Sequence, residues 1–291
     1  GGTAEIDDFR VGPSGEREEW VNLRVGMMLK EMLEDRGADV IMTRTEDVQV
    51  GLKERAMLAV NNEADVFLSL HHNATADPEV NFPVIYFHGN LSENLAGERL
   101  AECVGKRIRQ ALFSKEHDLC ICSDSVIFPG WGTAVLRHSY GIPGVIGEAS
   151  FFSNPDEEQR LKQEKYNEKE AMAYVIALED FFSKPVPEIK EKNSLVQIEP
   201  FEVFQEEERA KKEALRWRDL YEQGKHLYLA GKKNFMNKAL ENLSKSVKYF
   251  PDSPVARQCH IYRSKIYHTL GEYEKSNEAK LRAEEHYLPV D

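Results

Sequence analysis

No run of eighteen or more apolar residues occurs in the 291-residue sequence, so no segment reads as a membrane-spanning helix. Dense lysine and arginine clusters are also missing. The net charge is −12, which argues against a nucleic-acid backbone as the main partner, since phosphate binding needs clustered cations. Cysteine is scarce: Cys103, Cys120, Cys122 and Cys259 are the only four. Cys120 and Cys122 stand too close for a zinc knuckle and have no second Cys/His pair at ligand spacing. Buried free thiols are therefore expected, and they leave the redox compartment open. No secretory signal is visible, and the chain begins Gly1-Gly2 without an initiator methionine, so an N-terminal segment is expected to precede it.

What is present suffices for a sizeable core: 41% of the residues are apolar, and the length suits two domains. Residues 1 to about 183 alternate helical and strand patterns. Val21, Val25, Met28 and Met32 share one face of a helix over Arg17–Gly37. Strands are expected at Asp39–Thr43, at "DVFLSL", at Pro83–Phe87 and at Gly144–Glu148, the last followed by a polar loop. Helices are expected over Leu52–Asn62, Leu91–Leu112 and Tyr166–Phe182. This rhythm predicts an α/β fold, an open, mainly parallel sheet flanked by helices. Residues 184–204, with two prolines and mixed charge, read as a linker. Residues 205–291 read as an all-α region. There Gly224, Ala230-Gly231, Ala239 and Pro251 are echoed by Ser264, Leu270-Gly271, Ser276, Ala283 and Pro289, a spacing that resembles tetratricopeptide repeats. Two such units should leave an apolar face, to be covered by the first domain, a second chain or a protein partner.

In open α/β sheets, function gathers beyond the carboxyl ends of the strands. "VFLSLHHNA" delivers His71, His72 and Asn73 to such an end, "GVIGE" delivers Glu148, and Glu18 lies in the first turn of the first helix. Carboxylate and imidazole are an ordinary oxygen and nitrogen ligand set for zinc, and a carboxylate that is not a ligand can serve as general base.

Three blocks, "GPSGEREEWVNL", "MTRTEDVQVGLKERAMLAVNNEADVFLSLHHNA" and "IPGVIGEASFFSNPDE", resemble in order those of the zinc-dependent N-acetylmuramoyl-L-alanine amidases with a Gly-His-Gly-Gly start. The resemblance covers roughly residues 1–183. It implies an open α/β sheet, cleavage of the bond between N-acetylmuramic acid and L-alanine in peptidoglycan, and an exported protein of the periplasm or cell envelope. It also implies Glu18 and His71 as zinc ligands and Glu148 as the catalytic carboxylate. Glu16 and Glu19, the competitors of Glu18, would be solvated, and His72 would have no ligand role. Asn73 and Arg137 are the candidates for substrate contact; Arg44, Asp47 and Arg55 would form structural ion pairs. The family's first ligand, a histidine at the end of its first strand, would fall before Gly1, so that strand and that ligand are expected outside the given sequence. No helix that could plug the site is apparent between the His71 and Glu148 blocks. A competing reading is an inactive amidase-like module that binds cell wall or recruits a partner.

Overall fold

The computed structural model describes residues 11–290. Four strands, β1 (Phe67–Asn73), β2 (Val84–Phe87), β3 (Cys120–Ser123) and β4 (Gly144–Phe151), form one sheet in the order β1-β4-β2-β3. β1 and β4 run parallel, as do β2 and β3, while β2 and β4 are antiparallel. The expected mainly parallel sheet is therefore present with one reversal at its centre. Because β2 opposes β4, the carboxyl ends of β1 and β4 lie at the opposite edge of the sheet from those of β2 and β3.

Strand alternation sends side chains to two faces. Ile85, Phe87, Ile121, Val145 and Ala149 join a core with three helices: α1 (Glu18–Glu34), α3 (Leu95–Leu112) and the later α6 (Glu164–Phe182). Each helix contributes a stripe at helical spacing: Val21, Val25 and Leu29; Leu100, Val104 and Ile108; Tyr174, Leu178 and Phe181. α1 carries Glu18 and Glu19 in its first turn, which suits its positive end. It stops ahead of Gly37, whose φ of +83° few side chains accept. Short α2 (Leu52–Asn61), α4 (Ala134–His138) and α5 (Pro155–Leu161) fill the connections.

Phe67, Val84, Tyr86, Cys120, Cys122, Ile146 and Phe151 point the other way. They form a second core with the helices that follow α7 (Glu206–Arg209): α8 (Trp217–Leu229), α9 (Met236–Tyr249) and α10 (Ala256–Leu270). Trp217, Leu243, Val247, Phe250 and Cys259 are its buried members from that side. The apolar face expected of the helical region is thus spent on the sheet. Gly224 lets α8 and α9 approach closely, since a Cβ there would stand 2.7 Å from Leu243 Cγ. α11 (Tyr273–Glu285) completes the layer, and the chain then returns to the sheet: Ser123 N donates to His286 O at 2.8 Å and Leu288 N to Ile121 O at 3.0 Å. This tail covers the outer edge of β3.

Several expectations change. Asp39–Thr43 is not a strand: β1 pairs with β4, and among the described residues 39–43 find no ladder partner. The strand expected to end at Glu148 continues to Phe151, with Ala149 buried in one core and Phe151 in the other. β3, four residues long, carries no period that a sequence pattern could reveal. The 184–204 segment lies against the body: the Glu93 carboxylate accepts the N–H groups of Asn193, Leu195 and Val196, and Phe204 N donates to Lys248 O. The four cysteines are free thiols, three buried and Cys103 half-buried. Gly1-Gly2 lies outside the described residues.

Candidate functional site

His71 and Glu148 are register partners on β1 and β4, so they sit side by side, about 4.8 Å apart along the hydrogen-bonding direction. Glu18 reaches the same rim from the first turn of α1, and its Oε1 stands 2.7 Å from His71 Nδ1. Three segments distant in sequence thus bring two carboxylates and an imidazole to the carboxyl end of β1 and β4. The turn before α1 fixes the entry of Glu18. Glu158, on α5, accepts hydrogen bonds from Ser14 N, Ser14 Oγ and Glu16 N. Burial alone would raise the Glu158 pKa, but these bonds, led by the Ser14 hydroxyl, hold it below the usual carboxylate value.

His72 turns to the helical side, as alternation requires. It is 2% exposed rather than solvated, with Nδ1 2.8 Å from Asn22 Oδ1 and Nε2 3.0 Å from Glu170 Oε2. Burial opposes its charge, yet Glu170 outweighs burial and the imidazole pKa is raised. Of the competitors of Glu18, Glu16 pairs with Arg24 at 2.7 Å; Glu19 is fully buried, not solvated, and approaches Arg17 at 3.4 Å. Asn73 is half-buried beside the site. Its Oδ1 accepts from Ala74 N and its carbonyl from Phe152 N, which shapes the exit from β1.

Arg137 is not brought to this rim. It sits on α4, ahead of the first residue of β4, and Nη1 donates to the carbonyls of Trp131 and Gly132. That is the opposite end of the sheet, where Lys192 Nζ bonds His88 Nε2 and His88 Nδ1 bonds Asp124. Arg44 spends its guanidinium on the carbonyls of Glu19 and Glu46, and Arg55 Nε donates to Val50 O. Both guanidinium groups thus fasten backbone through carbonyls.

Glu18 Oε1 and His71 Nδ1 are an oxygen and a nitrogen donor of the kind zinc takes, held in register by helix and strand, and in chemistry they fit that ion. Among the described residues no group of three His, Cys, Asp or Glu side chains is placed to hold a metal ion.

Sequence reasoning missed Asn22 and Glu170, which bind His72, and the His88–Asp124–Lys192 group. Asn22 stands one helical turn after Glu18, a spacing visible in the sequence. Glu170 is 98 residues from its partner, and nothing local marks it.

The sequence profile of N-acetylmuramoyl-L-alanine amidase matches residues 2–180. The chain is 27% identical over 172 residues to the N-acetylmuramoyl-L-alanine amidase LytC of Bacillus subtilis, a match spanning 59% of this chain and 32% of LytC. With the amidase AmiA of Salmonella typhimurium it shares 24% identity, over 62% of this chain and 74% of AmiA. Among solved structures, an N-acetylmuramoyl-L-alanine amidase from Clostridium difficile 630 superposes with a TM-score of 0.56 at 24% identity, covering 64% of this chain and 94% of that one.

Proposed function

The chain belongs to the N-acetylmuramoyl-L-alanine amidase family, and on that premise we propose that it hydrolyses the amide bond between N-acetylmuramic acid and L-alanine in peptidoglycan, outside the cytoplasm, with Glu18 and His71 as zinc ligands and Glu148 as general base. The observation that carries the reading is the meeting of Glu18, His71 and Glu148 at one strand end. Zinc, when bound, supplies Lewis acidity at the scissile amide. Glu148, beside His71 in the ladder, takes the proton of the attacking water and returns it to the departing amine of L-alanine. Glu18 Oε1 and His71 Nδ1, 2.7 Å apart, would turn from one another to the ion when it is bound. Asn73 borders the same rim and would contact substrate there in this reading. Arg137, at the far end of the sheet, has no part in this reading. A module that only binds cell wall would gain nothing from a partly desolvated Glu148, and burying a carboxylate is costly.

The test is digestion of purified peptidoglycan by the full-length protein, with mass spectrometry of the soluble products. Stem peptides with a free L-alanine amino terminus, and glycan with a free lactyl carboxylate, are expected. Glu148→Gln should keep its zinc and lose roughly 10²–10⁴-fold in turnover. An active Glu148→Gln protein removes the base from Glu148.

A further inference from the structure

A continuous line of buried hydrogen bonds runs from α6 through β1 to the candidate ligand on α1. Glu170 Oε2 meets His72 Nε2 at 3.0 Å, His72 Nδ1 meets Asn22 Oδ1 at 2.8 Å, and Asn22 Nδ2 meets Glu18 Oε1 at 3.0 Å. Its direction is fixed by chemistry. The Glu18 carboxylate can only accept, so the Asn22 amide must turn its NH2 to Glu18 and its oxygen to His72. His72 Nδ1 therefore carries a hydrogen and donates it. Exposures of 0% for Glu170, 2% for His72 and 7% for Asn22 leave no water to replace a lost partner. In such surroundings each bond is strong and a gap is expensive.

We propose that Asn22 and His72, anchored by Glu170, are positioning residues: they aim the Glu18 carboxylate at the rim beside His71 and thereby set the affinity for the metal. The inference rests on the zinc reading of Glu18 and His71. None of the three residues touches substrate. Well-packed leucines would fill the same space without desolvating polar groups. A polar line with its one outlet at Glu18 gives a fixed orientation that leucines could not, since partners of metal ligands set both ligand orientation and affinity. His72 is well placed for this. It follows His71 directly, and alternation sends the two rings to opposite faces of β1, one to the rim and one to the helices.

The experiment is zinc titration of the full-length protein against a competing chelator, together with the visible absorption spectrum of the cobalt-substituted protein and far-ultraviolet circular dichroism of the metal-free protein. His72→Leu and Asn22→Ser should weaken zinc binding by about 10–100-fold and change the cobalt spectrum, while the metal-free fold is retained. His72→Asn, whose amide nitrogen can take the place of Nδ1 and donate to Asn22, should recover most of the loss and the wild-type spectrum. Should His72→Leu fail to fold, Asn22→Ser and His72→Asn carry the comparison. Wild-type affinity and spectrum in Asn22→Ser overturn the inference alone. A wild-type protein that takes up no zinc, like His71→Ala, overturns the zinc reading and this inference with it.

Discussion

Glu148 and Gly147 show how much one position decides. A Cβ on Gly147 would overlap the hydroxyl of Tyr174, which packs from α6 onto the strand just before the proposed base. Gly147→Ala should therefore cost about 1–3 kcal/mol through overpacking, read as a lower urea midpoint with unchanged slope. An unshifted midpoint would mean that Tyr174 moves aside freely. At the rim, His71→Ala should abolish stoichiometric zinc uptake in the full-length protein, measured by metal analysis after dialysis. Retained zinc would exclude His71 as a ligand. That Glu18, His71 and Glu148 would lie near one another was legible from the first turn of a periodic helix and the late residues of two strand patterns, and from blocks that resemble a family. The partners of His72 were not. Asn22 lies one turn from Glu18 and reads like any polar residue on a helix, and Glu170 enters only through the packing of α6. Arg137 was misplaced for a related reason: its distance from the Gly144–Phe151 strand is short in sequence, but it precedes the strand's start and Glu148 lies towards the finish.

Elements form where a period is long enough to be seen. α1, α3 and α6 repeat their apolar stripe over four turns or more, and their bounds could be read closely. β3 offers four residues, and Asp39–Thr43 had a strand's composition without a ladder to join. The 184–204 segment shows a third kind of limit. Its prolines and charges suggest a tether, but the buried Glu93 holds it. Burial by itself would raise the Glu93 pKa. The N–H groups of Leu195, Val196 and Asn193, with the Asn90 amide, outweigh that and keep it below the ordinary 4.5. A carboxyl with a depressed folded pKa stabilises above its unfolded value, and that contribution disappears as pH falls through the folded value. Wild type should therefore lose stability more steeply below pH 4.5 than Glu93→Gln, which cannot titrate there. The amides of Leu195 and Val196 should exchange faster first. Parallel acid profiles for the two proteins would show that Glu93 does not fasten the segment.

At the scale of the molecule, hydrophobic periodicity told that the 205–291 helices had an apolar face but not what would cover it. The cover is the sheet: Phe82 and Phe151 meet Phe250 at ring distances of 6.1 and 6.3 Å, and Tyr86 Oη bonds Asp252. A chain ended after residue 204 should expose Phe82, Tyr86 and Phe151 and bind a hydrophobic dye or aggregate. A monodisperse fragment that unfolds cooperatively and ignores the dye would show that the sheet needs no such cover. Phe250→Ala in the whole chain should cost about 3–5 kcal/mol, seen as a lower unfolding midpoint. The return of His286–Leu288 to β3 also sets an order in time. Cys122 and its bridging partner Tyr287 are 165 positions apart, so a ribosome adding about 5–20 residues per second brings out the second some 8–33 s after the first. Through that interval the outer edge of β3 has no strand beside it, and a nascent chain cannot close its own sheet. Here the last stitch of the sheet is held back to the final residues of the described chain.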